Sequence, residues 1–267
     1  MLKSRILTIL VVAPLAVAAV LLLPNLYFSL AILCCVVISA YEWGRLLGFS
    51  GGWMASLLIG VTLLLWYFES QLHINRWLYI LAAVWWALAF VVVVYYQRNS
   101  RSLISNRYLH ALIAFLVLIS AWFALSNMHG IYEKGPELTL YVLMIFWVAD
   151  IGAYIVGKLI GRTKLASNVS PGKTVEGVLG GLAAVVLFGI GGASYFSVGS
   201  DLMTFVMLTL ITALVSIIGD LYESILKRSA GVKDSGKLLP GHGGMLDRID
   251  SVLAGTPIFL LGYSLLQ

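Results

Sequence analysis

The chain is a succession of apolar runs, each about as long as a bilayer is thick, and that pattern leaves few folded solutions. Predominantly apolar stretches fall at 6–23, 26–47, 53–69, 77–96, 109–126, 138–160, 175–197, 202–226 and 249–266. An α-helix needs roughly 17–25 such residues to cross the hydrocarbon core. Inside lipid the backbone must satisfy its own N–H and C=O groups, so runs of this kind become helices. The sequence therefore predicts an all-α, polytopic integral membrane protein of about nine transmembrane helices. Composition agrees, because 61% of the 267 residues are hydrophobic, against about 45–50% in soluble domains. The first run, 6–23, exceeds the roughly 7–15 residues of a signal-peptide core and no clean small-residue cleavage site follows it, so it is expected to be a retained span.

The basic residues set the orientation. With nine spans and a cytoplasmic N-terminus, all of the 17 Lys and Arg residues except Arg76 and Lys134 face the cytoplasm, as the positive-inside rule requires. Losing one span before residue 150 would invert the later loops and spoil this split. The net charge of +5 thus reports topology, and no soluble basic domain exists to hold nucleic acid. Cys34 and Cys35 are adjacent in an apolar run, where small buried hydrophobes are expected and a disulfide is not. His73, His110 and His129 lack partners at metal-ligand spacing and are taken as interfacial. Aromatic pairs such as Trp85-Trp86 suit an interface belt or packing. The chain divides into 1–137, holding spans one to five, and 138–267, holding spans six to nine and the charged loops.

Charged residues make up only 11% of the chain, yet they crowd between Asp220 and Asp250. As a continuation of the preceding helix, Asp220, Glu223, Ser224 and Lys227 share one face at i, i+3, i+4 and i+7. Asp247, Asp250 and Ser251 repeat that geometry at the start of the last run. Between them Pro240-Gly241-His242-Gly243-Gly244 can bring backbone N–H groups close to an anion. Carboxylates on two helix ends, joined by a basic, glycine-rich loop, suit a hard divalent cation bridging phosphate oxygens. A loop that only obeyed the positive-inside rule would need Lys and Arg but not these acids.

Asp150 interrupts another apolar span, where an acid costs about 2.5–3.5 kcal/mol; the readings are a functional carboxylate or an ion pair with Lys158 or Arg162. For Glu42 the expectation is pairing with Arg45. The run Ser167-Asn-Val-Ser-Pro-Gly-Lys-Thr174 ends like a P-loop, but Ser167 stands where a glycine is required and no strand of an α/β domain precedes it. Ser170 is expected instead as an N-cap with Pro171 at the first helical position, giving the seventh helix an anion-binding N-terminus beside Lys173.

The runs Ser224-Ile-Leu-Lys-Arg, Val232-Lys-Asp-Ser-Gly and Leu239-Pro-Gly-His-Gly-Gly-Met-Leu-Asp-Arg-Ile-Asp resemble the signature of the phosphatidate cytidylyltransferase (CDP-diacylglycerol synthase) family. Asp150-Ile-Gly-Ala-Tyr, Gly157-Lys-Leu-Ile-Gly and Ser170-Pro-Gly-Lys-Thr-Val-Glu-Gly look like its other patterns. The resemblance covers Asp150 to Ser251, with only Tyr41-Glu-Trp-Gly-Arg-Leu suggestive before that. It implies transfer of a cytidylyl group from CTP to phosphatidic acid, giving CDP-diacylglycerol and pyrophosphate, with attack by the lipid phosphate on the α-phosphorus. On this reading Mg²⁺ is held by Asp220 and Asp247, helped by Asp250. Lys173, Lys227, Arg228, Lys233, His242 and Arg248 take up phosphate charge, Asp234 joins the catalytic set, and Asp150, Ser170, Thr174, Glu176, Ser224, Gly243 and Gly244 contact substrate. The sequence carries no signal for or against a second, monovalent cation.

The resemblance further implies a homodimer, and the split of basic residues puts the active site on the cytoplasmic side of what is expected to be a bacterial-type inner membrane. Two rivals come from other classes. A CTP-dependent polyprenol or lipid kinase would share the nucleotide site, but the Gly-His-Gly-Gly-x-x-Asp-Arg run speaks against it. A transporter would spread its charges through midplane helices on both sides, whereas here they gather at one mouth.

Overall fold

In the computed structural model the apolar runs become helices whose ends lie where polar residues, Gly or Pro interrupt the hydrophobic pattern. It describes residues 13–72, 74–131, 133–196, 201–238 and 243–266. In chain order these helices are α1 (Ala13–Leu22), α2 (Asn25–Leu46), α3 (Gly51–Leu72), α4 (Ile74–Asn99), α5 (Arg107–His129), α6 (Gly135–Ile160), α7 (Val175–Tyr195), α8 (Leu202–Ser229) and α9 (Leu246–Tyr263). Seven of them, α2 to α8, are long and apolar enough to cross a membrane, which makes this a multi-pass membrane protein. The start of the expected first span lies outside the described residues. The last expected span, α9, carries Asp247, Arg248 and Asp250 in its opening turns, so it is less apolar than the others.

Helix α5 is buried along most of its length, as expected of a helix that is apolar on every side. Its start is fixed by Asn106, whose side chain accepts from the N–H groups of Tyr108 (2.9 Å) and Leu109 (3.4 Å), satisfying donors that the first helical turn leaves open. Around it α2, α4, α6 and α9 pack directly, with α8 against α9 and α4. Helices α6 and α7 approach closely through small residues: a Cβ on Gly152 would lie 3.0 Å from the Gly181 Cα, and one on Gly181 would lie 2.6 Å from the Ala149 carbonyl oxygen. Lipid offers no hydrophobic drive to associate, so such close backbone packing is what joins two membrane helices.

One expectation is corrected here and another made more specific. His110 and His129, expected to be interfacial, lie at the two ends of α5 and are buried against the protein: His110 bridges the Tyr222 hydroxyl and the Ile104 carbonyl, and His129 bridges the Asn25 side chain and the Val20 carbonyl. Cys34 is exposed on α2 and is not a buried hydrophobe; His73 falls outside the described residues.

Among the described residues the strands form a single antiparallel hairpin, β1 (Lys164–Ala166) and β2 (Ser170–Thr174), pairing Lys164 with Thr174 and Ala166 with Ser170. This corrects the expected start of the seventh helix. Ser170 opens a strand, Pro171 lies within that strand, and the N-cap is Thr174, whose Oγ1 accepts from the Gly177 N–H at 3.2 Å. The hairpin is tethered to the end of α4: Gln97 accepts from the Asn168 N–H (3.1 Å) and amide (2.8 Å) and donates to Ser167 Oγ (3.0 Å).

Candidate active site

The site is built where α6, α8, α9 and the hairpin meet. The i, i+3 spacing that puts Asp220 and Glu223 on one face of α8 turns that face toward α9, whose second turn presents Asp250. One carboxylate oxygen from each of the three lies within 4.8 Å of the others. Glu223 is 3% exposed; its Oε2 lies 2.5 Å from Lys227 Nζ, and its Oε1 has no hydrogen-bond partner. A buried carboxylate oxygen without a donor is costly, and oxygen-only ligands at this spacing match a hard divalent cation. The residues present therefore fit a Mg²⁺ ion.

Cationic groups flank the three acids. Lys173, on β2, forms an ion pair with Asp220. Asp150, on α6, is exposed and within electrostatic reach of Lys173, Asp220 and Arg248, so its surroundings differ from both a Lys158 and an Arg162 pairing. Lys227 lies between Glu223 at 2.5 Å and Asp247 at 2.6 Å, with all three side chains largely out of solvent. Ser224 Oγ sits 3.5 Å from Asp220 Oδ1. Behind the acids, Tyr222 is enclosed by Trp43, Trp85 and Trp86, so the Trp85-Trp86 pair serves packing.

Asp247 lies apart from the acidic trio. Its Oδ2 accepts from the N–H groups of Ser235 (2.9 Å) and Gly244 (2.8 Å), with Ser235 Oγ 3.0 Å away, while Oδ1 takes Lys227 Nζ. Both of its oxygens are thus engaged by protein donors. Gly243 adopts φ +83°, a conformation only glycine takes easily, and it lies against Asp247. The glycine loop expected to cradle a substrate phosphate thus directs the Gly244 N–H at a carboxylate of its own chain. His242, with Pro240 and Gly241, lies outside the described residues.

The remaining expected residues are spread around this centre. Arg228 donates to the Val232 carbonyl at 3.2 Å, closing the turn after α8, and Lys233 and Asp234 are exposed in the loop that follows. Arg248 is exposed at the start of α9. Glu176, expected to contact substrate, accepts from the N–H groups of Arg162 and Thr163 at 3.1 Å, holding the chain between α6 and β1.

Two residues escaped the sequence reading. Ser235 joins Asp247 as described, and Glu42, expected to pair with Arg45, accepts instead from the Met245 N–H (3.0 Å), the Leu246 N–H (2.9 Å) and Ser235 Oγ (2.8 Å). Glu42 did give a signal, a lone acid in an apolar helix like Asp150, but a nearer arginine offered a simpler partner.

Beside the acids a cavity of about 330 Å³ runs between α6 and α7 beneath the hairpin. Asp150, Lys158, Lys173 and Gly172 line its polar part, and Ala149, Ala153, Val178, Leu182 and Ile217 its apolar part. A wall that passes from charged to apolar suits a ligand with an anionic head and a hydrocarbon body.

Comparison with known proteins agrees with this chemistry. A phosphatidate cytidylyltransferase of Pseudomonas aeruginosa is 40% identical over 97% of this chain and 96% of its own length. One from Haemophilus influenzae is 37% identical over 98% of this chain and 99% of its own. Another, from Synechocystis, is 49% identical over a shorter stretch of 127 residues, 48% of this chain. The model of the cytidylyltransferase family matches residues 3–266, so the chain belongs to that family over nearly its whole length.

Proposed function

We propose that this protein is a phosphatidate cytidylyltransferase, which converts CTP and phosphatidic acid to CDP-diacylglycerol and pyrophosphate in phospholipid biosynthesis. The observation that carries the reading is the convergence of Asp220, Glu223 and Asp250, with Lys173 beside them, next to a cavity that passes from charged to apolar. The nucleophile is a phosphate monoester, whose second pKa is near 6, so it arrives ionised and no side chain need remove a proton. The difficulty is electrostatic: an oxyanion must approach a polyanion. Lys173 and Arg248 face that problem, offsetting charge on the substrate phosphates in a site partly shielded from water. Asp220, Glu223 and Asp250 would hold Mg²⁺, which when bound neutralises phosphate oxygens and fixes their geometry. Lys227 keeps Glu223 and Asp247 in register, so its effect on the reaction is to hold acids in place. Asp150 and Thr174 form part of the pocket wall toward the substrates, and Ser224 lies beside Asp220.

On the same reading the protein has nine spans, with α1 and α9 as the first and last, a cytoplasmic N-terminus and a site open to the cytoplasmic face of a bacterial inner membrane. Residues 138–267 carry the reacting groups, 1–137 support them, and two copies form a homodimer.

The test is incubation of purified protein with CTP, phosphatidic acid and Mg²⁺. Formation of pyrophosphate and a liponucleotide in equal amounts is the expected result. Release of CDP with phosphorylation of a lipid alcohol would overturn the reading in favour of a kinase.

A further inference from the structure

We propose that Glu42 is a positioning residue for the acidic site, acting from α2 through the start of α9. Helix α9 begins at Leu246, and Met245, its N-cap, provides no side-chain hydrogen bond. The first N–H groups of a helix lack partners within it, and here Glu42 supplies them from a residue 203 positions away in sequence: Oε1 accepts from Met245 and Oε2 from Leu246, at 3.0 and 2.9 Å. Its charge also complements the positive end of the helix dipole. The same Oε2 accepts from Ser235 Oγ at 2.8 Å, and that hydroxyl oxygen is 3.0 Å from Asp247 Oδ2.

The fit is specific to a carboxylate in this place. Glu42 is 5% exposed, and the loop backbone closes on it at Gly236 and Gly244, where any Cβ would run into the carboxylate. What this arrangement fixes is the register of α9's opening turns. Asp250 lies one turn beyond Leu246, and its place beside Asp220 and Glu223 depends on where that turn begins. Glu42 touches none of the three acids in its hydrogen bonds, so it acts on them through the backbone of Met245 and Leu246.

This inference rests on the metal-binding reading of the trio. A carboxylate that merely held the fold together would, when altered, lower stability without changing the metal affinity of what remains folded. The experiment is direct Mn²⁺ binding to the full purified chain, followed by the loss of the free-ion EPR signal, with a thermal melt of each sample. Glu42→Gln keeps the shape but replaces one acceptor oxygen by an amide that faces donors. It is expected to weaken Mn²⁺ binding by about tenfold or more, since loss of a group that orients metal ligands typically costs about 10–100-fold in affinity. Ser235→Ala, which removes only the bridging hydroxyl, is expected to weaken it by about threefold. Asn106→Ala, which removes the cap of α5 instead, is expected to lower the melting temperature and leave Mn²⁺ binding as in the wild type.

Mn²⁺ affinity within twofold of wild type in folded Glu42→Gln protein would reduce Glu42 to a fold support and overturn the proposal. If that variant yields no folded protein, Ser235→Ala decides, and wild-type affinity there overturns it equally. A wild-type protein that binds no Mn²⁺ would overturn the metal reading itself, an outcome distinct from both.

Discussion

Asp220 and Asp247 look alike in the sequence, each a carboxylate near a helix end beside basic residues, but their neighbours set them apart. Asp220 has Glu223 and Asp250 close by and an exposed enough position to meet a ligand; Asp247 is enclosed by Lys227, Ser235 and Gly244. We therefore expect Asp220→Asn to fold normally and to lose activity by at least about a hundredfold, together with Mn²⁺ binding. Asp247→Asn removes the charge opposite a largely buried lysine, at a cost of about 3 kcal/mol, and should show first as a lower melting temperature. A stable Asp247→Asn protein that had lost only metal binding would restore Asp247 as a ligand. Arg248→Lys keeps the charge but loses the planar fork that grips a phosphate, so turnover should fall about tenfold with stability unchanged; unaltered turnover would leave Arg248 as a topology charge. The sequence made the acids visible because charge is so scarce in this chain. It could not separate ligand from scaffold, since the donors that occupy Asp247 are backbone N–H groups of a loop whose path only the folded chain defines.

Among the elements, helices were legible and the hairpin was not. Apolar runs specify membrane helices almost without context, because lipid leaves the backbone no other partner. The stretch from Lys164 to Thr174 is polar and short, and Ser-Pro is a good helix start on local grounds. What overrides that preference is tertiary: Gln97 holds the Asn168 turn, and Glu176 holds the N–H groups of Arg162 and Thr163. Glycine separates two kinds of position on α7. Gly181→Leu would drive a side chain into the backbone of α6 and is expected to destabilise the protein by about 2 kcal/mol or more, read as a loss of monodisperse material on heating. Gly191 has open space around its Cα, and Gly191→Leu should melt like the wild type. Equal behaviour of the two variants would mean that α6 and α7 do not depend on close backbone approach.

At the scale of the whole molecule, the split of basic residues predicts which loops share a membrane face. Single cysteines at Ser100 and Lys237, in a background lacking Cys34 and Cys35, are expected to react with an impermeant maleimide only from the cytoplasmic side, and one at Glu133 only from the opposite side. Labelling of Lys237 from outside would remove CTP, an intracellular substrate, from the proposed chemistry. Orientation of this sort is written in composition and loop length, whereas the contact of α2 with α9 joins residues too far apart in sequence for any local pattern to reveal.

That contact bears on how freely the two halves of such a protein could be exchanged. Every group that meets the metal or the phosphates in the proposed site lies beyond residue 138, which invites grafting of that half onto the front helices of a relative. The anchor of the signature loop, however, is contributed by α2, and the loop's glycines are shaped around it. A chimera joined near residue 138 should therefore work only when its donor front half brings an acid to the position of Glu42; otherwise the graft would carry all of its chemistry and still lack the peg on which its loop hangs.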